Sequence, residues 1–353
     1  MKHSKNSLRV SVIALAFLSA CGGGGGGSST SGTPVATTPP APSAPTMPAA
    51  PAVVPGQLQT SVPALAYAAS SEEYAFVTAF NDFRQKLGLG LLAQNAMLDK
   101  SAANHLQYVL ANDVNNGGTV DFTAVDPASG RQMFHIETVG KPLFTGVNEL
   151  DRAKAAGYAG TYAGESGTFG GGNGAKVAFD ALVKTVYHRA GLMFQQPVDI
   201  GIAVGQDRSQ TFVVEVGFAK AQFNASDYLG VYPADKQSGV GLNAGVELPN
   251  PFPDLSVWNA DFPTRTGYPV SVVAKEGSAL EVVSFTLNEA GAATPLEVRI
   301  LTKDNDPQKY LASNIAFLVA KAPLKPNTSY AASFSGRVSN VVVNKSWSFT
   351  TGQ

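Results

Sequence analysis

Two histidines and two glutamates are the residues of this chain whose types and spacing are best suited to chemistry. His135 and Glu137 are two residues apart, so in an extended segment both side chains would project from the same side. Glu165 lies in a loop rich in glycine and tyrosine, and His188 lies near the end of a predicted helix. Two imidazoles and one or two carboxylates that converge in a cleft can bind Zn²⁺ with an open position. The same set can act as an acid–base pair near neutral pH.

The spacing of these residues lacks the marks of well-defined metal and hydrolase motifs. No HExxH segment, no pair of histidines at helical spacing and no neighbouring cysteine accompanies them. His105 lies on the apolar face of a predicted helix, where we interpret it as a packed, hydrogen-bonded side chain. No Gly-x-Ser-x-Gly segment is present, so serine hydrolase chemistry has no support.

The composition excludes several classes of function. The 353 residues, enough for about two domains, carry 25 Lys+Arg against 26 Asp+Glu. After the first twenty residues there is no basic stretch that could follow a phosphate backbone, so we expect no nucleic-acid partner. The single cysteine excludes an intrachain disulfide and a multi-cysteine zinc site.

Residues 1–21 have the layout of a secretory signal. A positively charged start is followed by an apolar core over residues 10–18, too short to span a bilayer, and by small residues before Cys21. The end of this segment resembles a bacterial lipobox, which would make Cys21 the acylated first residue of the mature protein. The alternative is an ordinary signal peptide with a chance cysteine. Because Gly22 follows instead of an aspartate, the resemblance implies a lipid anchor in the outer membrane or at the cell surface.

Residues 22–69 are predicted to form a tether. No charged residue occurs in this segment, which consists of six glycines, then Ser and Thr, then prolines among alanines. Such a composition cannot bury a core; the glycine part is expected to be flexible and the proline part semi-rigid. The segment would hold a folded domain away from the membrane.

Residues 70–247 are predicted to form an α+β domain. Ser70 and Glu73 have the spacing of a capping box before an apolar stripe that ends at Gly88. Helices come first and strands after, an order typical of helices packed on a small sheet. Further helices are predicted over about 95–113, around 150–157 and over about 175–193, and strands over 200–204 and 211–218.

Residues 248–353 are predicted to form an all-β sandwich. The proline-rich run from Leu248 to Pro253 marks the boundary, and beyond it the helical period disappears. Six short strand candidates follow about ten residues apart, which is typical of a β-sandwich. The segments Pro323–Tyr330 and Trp347–Thr351 resemble the closing strands of bacterial immunoglobulin-like modules.

Several segments of the first domain resemble the CAP (SCP-like extracellular) superfamily in the order in which its bacterial members have them. The match covers roughly residues 70–218. The segments that carry it are Phe80-Asn81-Asp82-Phe83-Arg84, Leu98-x-x-x-Ala102-x-x-His105, His135-x-Glu137, Asp151-Arg152-Ala153, Gly164-Glu165 and Tyr187-His188-Arg189.

The resemblance implies an α-β-α sandwich whose central cleft is lined by two histidines and two acidic residues. His135 and His188 stand at the positions of the two cleft histidines, and Glu165 stands at the glutamate of the Gly-Glu motif. The other acidic residue of the family has no counterpart in the helix before His188, and Glu137 is the candidate replacement. The metal-ligand set implied in this way is His135, His188 and Glu165, with zinc as the candidate ion.

Three functions follow as hypotheses. The first is an envelope-anchored extracellular binding protein whose cleft holds a lipid, a peptide, a glycan or a divalent metal. The second is a metal-dependent hydrolase of cell-wall or extracellular polymers, with Glu165 as the base toward bound water. The third is a structural or adhesive surface protein. We favour the first, and so expect a binding protein instead of a catalyst.

Overall fold

The structure, a computed structural model, describes most of the chain outside its amino-terminal segment. The predicted signal segment with Cys21, and the predicted tether as far as residue 56, lie outside the described residues. The described residues are 57–168, 174–205, 210–256 and 262–353.

The last part of the predicted tether, residues 57–69, contacts the first folded region. Gln59 is buried, and its side-chain amide donates to the carbonyl oxygens of Leu91 and Val198, both at 3.0 Å. The Leu91 N–H donates to the carbonyl of Gln59 at 2.7 Å. The backbone bond is possible because an extended segment leaves its own N–H and C=O groups open for pairing with another segment. The folded part of the chain therefore begins before residue 70.

Within the described residues, the first region contains five helices and four strands. The helices are Glu72–Leu87 (α1), Ala96–Asn112 (α2), Glu149–Ala156 (α3), Ala175–Val183 (α4) and Tyr187–Leu192 (α5), with short 3₁₀ turns at Val114–Asn116 and Met133–His135. The strands are Ala93–Gln94 (β1), Tyr162–Thr168 (β2), Asp199–Val204 (β3) and Phe212–Phe218 (β4).

Local residue chemistry sets the ends of these helices. The side chains of Ser71 and Asn95 accept hydrogen bonds from N–H groups of the first turns of α1 and α2. Ser71, and not the predicted Ser70, is thus the N-cap of α1. Gly88 and Gly157 end α1 and α3 with φ angles of 71° and 104°, which a residue without a Cβ adopts at little cost. Within the described residues, no helix is both long enough and apolar enough to cross a membrane.

The first region is a three-layer structure. Its sheet has the order β1-β3-β4-β2, with β1 and β3 parallel and the other neighbours antiparallel. Alternate residues point to opposite faces. Ile202 and Val214 belong to the apolar core that includes α1 and α4, whereas Ala203 and Val213 belong to the cluster formed with α2. The predicted α+β class is confirmed.

The predicted fourth helix, residues 175–193, is two helices in the structure. α4 ends at Val183, and α5 starts at Tyr187. The carboxylate of Glu247 accepts hydrogen bonds from the N–H groups of Val186 and Tyr187, at 2.7 and 3.0 Å. A carboxylate at this position satisfies N–H groups that a continuous helix would bond internally, so the helix restarts here.

The second region consists of two four-stranded sheets. Their orders are β5-β7-β10-β9 and β6-β12-β11-β8, and all strand pairs are antiparallel except β6 with β12. The two sheets share an apolar core to which Phe285, Phe317, Phe334 and Trp347 contribute. The strands are Leu229–Tyr232 (β5), Gln237–Val240 (β6), Val270–Ala274 (β7), Leu280–Glu289 (β8), Val298–Thr302 (β9), Ile315–Ala320 (β10), Ser329–Val338 (β11) and Val341–Thr351 (β12), with a 3₁₀ turn at Phe262–Arg265.

The boundary between the regions differs from the predicted one at residue 248. β5 and β6 precede that residue but pair with β7 and β12 of the second region. The sequence offers no helical or proline signal between β4 and β5, which explains the misplaced boundary. The regions also share one continuous apolar core. Buried Arg189 of α5 contributes to this contact, because its guanidinium donates to the Pro269 carbonyl and lies 4.9 Å from the ring centroids of Tyr232 and Tyr268.

Candidate functional site

The register of the first sheet brings two glutamates to the face that α2 covers. Glu165 of β2 is directly opposite Glu215 of β4, which in turn is opposite Gly201 of β3. A Cβ on Gly201 would lie 2.2 Å from the backbone of Leu98, so the glycine allows α2 to approach the sheet closely. Ser101 of α2 consequently reaches Glu215 and donates a hydrogen bond of 2.9 Å to its Oε1.

His135 and Glu165 form the centre of a buried polar cluster. The 3₁₀ turn at Met133–His135 places the Nδ1 of His135 2.9 Å from the Oε1 of Glu165. The other carboxylate oxygen accepts a hydrogen bond of 2.6 Å from Arg152, whose guanidinium also donates to the backbone carbonyl of His135. Both side chains of the His135–Glu165 pair are at most 1% exposed, so this contact is sealed from bulk solvent.

Glu137 and His105 form a second pair in the same cluster. The Nδ1 of His105 lies 3.0 Å from the Oε1 of Glu137, and its Nε2 lies 2.7 Å from the carbonyl oxygen of Phe134. The carboxylate of Glu137 also accepts from the backbone N–H groups of Thr145 and Gly146. His105 is a buried, hydrogen-bonded side chain of the kind expected from the sequence, but its partner is a glutamate of the candidate site.

Glu149 extends the cluster toward the surface. It opens α3, whose N-cap Asn148 accepts from the Asp151 N–H. Its carboxylate forms an ion pair with Arg131, and the side chains of Glu149 and Arg131 are 11% and 17% exposed. One nitrogen of His135 and one oxygen each of Glu149 and Glu165 lie within 4.8 Å of one another, a grouping that could hold a metal ion.

The charges of the cluster shift the pKa values of its members. Burial alone would raise the pKa of the Glu165 carboxyl, but Arg152, with His105 and His135, holds that pKa well below its ordinary value. Burial alone would lower the pKa of Arg152, but Glu165 and three further glutamates raise it. Four carboxylates thus surround one buried guanidinium.

Glu215 differs from the other glutamates of the cluster. Burial raises the pKa of its carboxyl well above the ordinary value, and the charge of Glu165 adds to this, while Arg152 opposes it. Its Oε2 has no hydrogen-bond partner among the described residues, and neither has the Nε of Arg152. The cluster therefore contains buried polar atoms that its own hydrogen bonds leave unsatisfied, which is costly and needs an explanation.

His188 does not join this cluster, contrary to the predicted ligand set. It lies in α5, where its Nδ1 is 3.1 Å from the Oε2 of Glu247 and 3.2 Å from the Oγ1 of Thr185. It is also absent from the metal-ligand grouping found among the described residues. The physical reason is the break before α5: Glu247 binds the start of this helix and holds the imidazole next to itself.

The structure therefore brings together three of the four predicted site residues, His135, Glu137 and Glu165. The sequence reasoning missed Glu149, Arg152 and Glu215 as members. A usable signal existed for Glu215, since a glutamate inside the apolar run of residues 211–218 is expected to be buried with a partner. No comparable signal existed for Glu149, because an acid in a first helical turn is ordinary.

No family model and no curated protein matches this chain. The chain is similar to a solved structure of an outer surface protein from Borrelia burgdorferi, with 16% identity and a TM-score of 0.32 over 43% of this chain and 96% of that chain. It is also similar to an extracellular protein containing an SCP domain from Bacillus anthracis, with 16% identity and a TM-score of 0.31 over 42% of this chain. The second match spans only 40% of the Bacillus chain. TM-scores of this size do not establish a shared fold, so membership of the CAP superfamily stays a prediction.

Proposed function

We propose that this chain is a lipid-anchored extracellular binding protein whose first region binds a divalent cation through His135, Glu149 and Glu165. The observation that carries the proposal is the grouping of one imidazole nitrogen and two carboxylate oxygens within 4.8 Å. The resemblance of residues 1–21 to a lipoprotein signal supports the anchor and the export. In this proposal the second region is an immunoglobulin-like spacer at the outer membrane or cell surface.

The donor set fits zinc. Zn²⁺ is bound in proteins by imidazole nitrogen and carboxylate oxygen, and a site with three protein ligands keeps one position open. Arg152, which is outside the ligand set, donates to the Oε2 of Glu165, while the Oε1 of Glu165 faces His135. A hydrogen bond from such an outer residue orients the metal-binding carboxylate.

The arginines of the cluster set conditions on binding. Arg152 is fully buried and bonded to Glu165, so it stays in place and neutralises part of the negative charge. Arg131 is partly exposed and pairs with Glu149, the most exposed of the three proposed ligands. We infer that a cation enters from this side and that Glu149 must leave Arg131 to bind it. Entry is thus expected to be slower than in an open site.

Titration calorimetry of the mature chain carrying Cys21→Ser tests the proposal. Zinc is expected to bind at about one ion per chain, and Glu149→Gln is expected to weaken binding at least tenfold because an amide is a poor substitute for a carboxylate ligand. Glu297→Gln is the matched control, since Glu297 is an exposed residue of the second region that pairs with Lys321. Absence of zinc binding by the folded protein, or unchanged binding in Glu149→Gln, would contradict the proposal.

The metal-dependent hydrolase is the second candidate function. It shares the same ligands but also needs a polymer to reach the metal, whereas His135 and Glu165 are 1% and 4% exposed. The zinc-loaded protein incubated with cell-wall polymer distinguishes the two functions. Release of soluble fragments that Glu149→Gln abolishes would favour hydrolysis over binding.

A further inference from the structure

The hairpin of β11 and β12 ends in an exposed apolar tip. Its turn consists of Ser339 and Asn340, whose φ angles of 47° and 71° match a tight two-residue hairpin turn. Val341 and Val342 follow the turn and are 66% and 63% exposed. Because successive side chains of a strand point to opposite faces, neither face of the tip is covered. Val283 of the neighbouring strand β8 is 66% exposed and completes the tip valines.

Large apolar side chains on the outer face of this sheet are confined to the end that carries the tip. The outward residues of β12 after Val342 are all polar: Asn344, Ser346, Ser348 and Thr350. Val342 is directly opposite Arg337, which pairs with Glu281 at 3.6 Å, and exposed Lys345 lies further along β12. An apolar end bordered by basic side chains suits the surface of a lipid bilayer, where the valines enter the acyl boundary and the cationic groups stay at the headgroups.

The tip lies at the end of the molecule where the described chain begins. The carbonyl of Ala279, in the turn between β7 and β8, accepts the N–H of the first turn residue of the tip at 2.8 Å. In the same β7–β8 turn, Glu276 accepts a hydrogen bond from the side chain of Gln196. The Gln196 carbonyl accepts from the N–H of Gln222, whose side chain accepts from the N–H of Gln59. These contacts connect the tip to the segment that leads back toward the predicted anchor.

We propose that Val283, Val341 and Val342 dock into the surface of the membrane that holds the anchor at Cys21, an inference that rests on the anchor of the proposed function. A flexible linker as long as residues 22–56 has an r.m.s. length of about 33 Å, so the anchor keeps the tip at a high effective concentration near the bilayer. Three valines alone bind lipid weakly, since even one myristoyl chain gives only marginal binding. Docking therefore requires the anchored chain.

Tryptophan quenching on vesicles tests the docking. The mature chain is coupled through the thiol of Cys21, its only cysteine, to maleimide-functionalised lipid in phosphatidylcholine vesicles brominated on their acyl chains. This coupling supplies the anchor chemically, so the result depends neither on acylation in the cell nor on zinc binding. Val342→Trp is expected to lose about half of its added fluorescence, because an inserted tip reaches the boundary of headgroups and acyl chains. Adding Val341→Ser and Val283→Ser, both at exposed positions, is expected to abolish most of that loss.

Val139→Trp is the matched control for the affinity of tryptophan itself for lipid. Val139 is also an exposed valine, at 72%. Its loop contacts the last residue of α2, where Asn112 donates to the Pro142 carbonyl at 3.0 Å, whereas Gln59 contacts the segment before α2. Because α2 has 17 residues and is therefore about 25 Å long, the control lies far from the tip and should not be quenched.

Three results would overturn the proposal. Val342→Trp on the anchored chain could show no quenching, or Val139→Trp could be quenched equally. The free Cys21→Ser chain could also form a dimer that Val341→Ser abolishes, in which case the tip valines pack against a second copy and not against lipid. Sedimentation of the free chain with and without Val341→Ser measures this last outcome.

Discussion

Two of the buried histidine–glutamate pairs, His135–Glu165 and His188–Glu247, have similar geometry and different surroundings. His135 lies 2.9 Å from Glu165, and His188 lies 3.1 Å from Glu247. The first pair is surrounded by further carboxylates and by Arg152, and the cluster leaves the Oε2 of Glu215 unsatisfied among the described residues. The second pair binds the start of α5, where Glu247 accepts from three consecutive backbone N–H groups.

The difference shows that a buried histidine–glutamate contact does not by itself identify a binding site. At His188 the carboxylate has a structural role, because it accepts from the N–H groups at the start of α5 and joins the segment between β6 and β7 to the first region. At His135 four carboxylates face two arginines, Arg152 and Arg131, so the carboxylates outnumber the arginines. A surplus of ligand atoms distinguishes a candidate cation site from a structural contact.

Arg152→Met is expected to have the largest effect. It removes the cation next to Glu165, and breaking a buried ion pair in this way costs about 4 kcal/mol. In the wild type the pKa of Glu165 is far below the ordinary value, so its stabilising contribution is still mostly present at pH 4 and is lost only at lower pH. In the variant burial is no longer opposed by Arg152 and favours the neutral carboxyl, which protonation supplies as the pH falls. The loss should therefore be largest at pH 7 and smaller at pH 4. Urea unfolding at both pH values measures it, and an equal loss at both would contradict the electrostatic explanation.

Glu247→Ala is expected to have the next largest effect. It leaves the N–H groups at the start of α5 without their acceptor and His188 without its carboxylate partner, at a cost of about 3 kcal/mol. Glu247→Gln keeps an acceptor oxygen and should cost only about 1 kcal/mol. Neither change should alter zinc affinity, because this pair lies outside the proposed ligand set. A loss of zinc binding in folded Glu247→Gln would show that the two pairs are not independent.

Glu215→Gln is expected to have the smallest effect, with the opposite sign. Because the pKa of Glu215 is raised in the folded state, its contribution to stability is present at low pH and is lost as the pH rises through the folded-state pKa. A glutamine is neutral at every pH and can still accept from Ser101. The variant should match the wild type near pH 4 and exceed its free energy of unfolding at pH 8. A lower stability at pH 8 would show that the ionised carboxylate has a favourable partner.

The sequence predicted local features well and distant contacts poorly. The helices that begin at residues 72, 96 and 149 follow from apolar periodicity, and the first and third of them also from their glycine ends. His135 and Glu165 were expected together because family resemblance carries information on tertiary contacts. The break at Val186 could not be predicted, since its cause is Glu247, sixty-one residues later. Arg152 belongs to the Asp151-Arg152-Ala153 segment that resembles the family, but its burial among glutamates depends on how α3 packs on the sheet.

Zinc-edge anomalous diffraction from zinc-soaked crystals of the mature Cys21→Ser chain tests the central claim most directly. We expect one strong anomalous peak about 2.0–2.2 Å from the ligand atoms of His135, Glu149 and Glu165. We also expect that Arg131 has moved away from Glu149 and that His188 and Glu247 keep their contact. A peak between His188 and Glu247, or a fully intact His135 cluster without any peak, would contradict the claim.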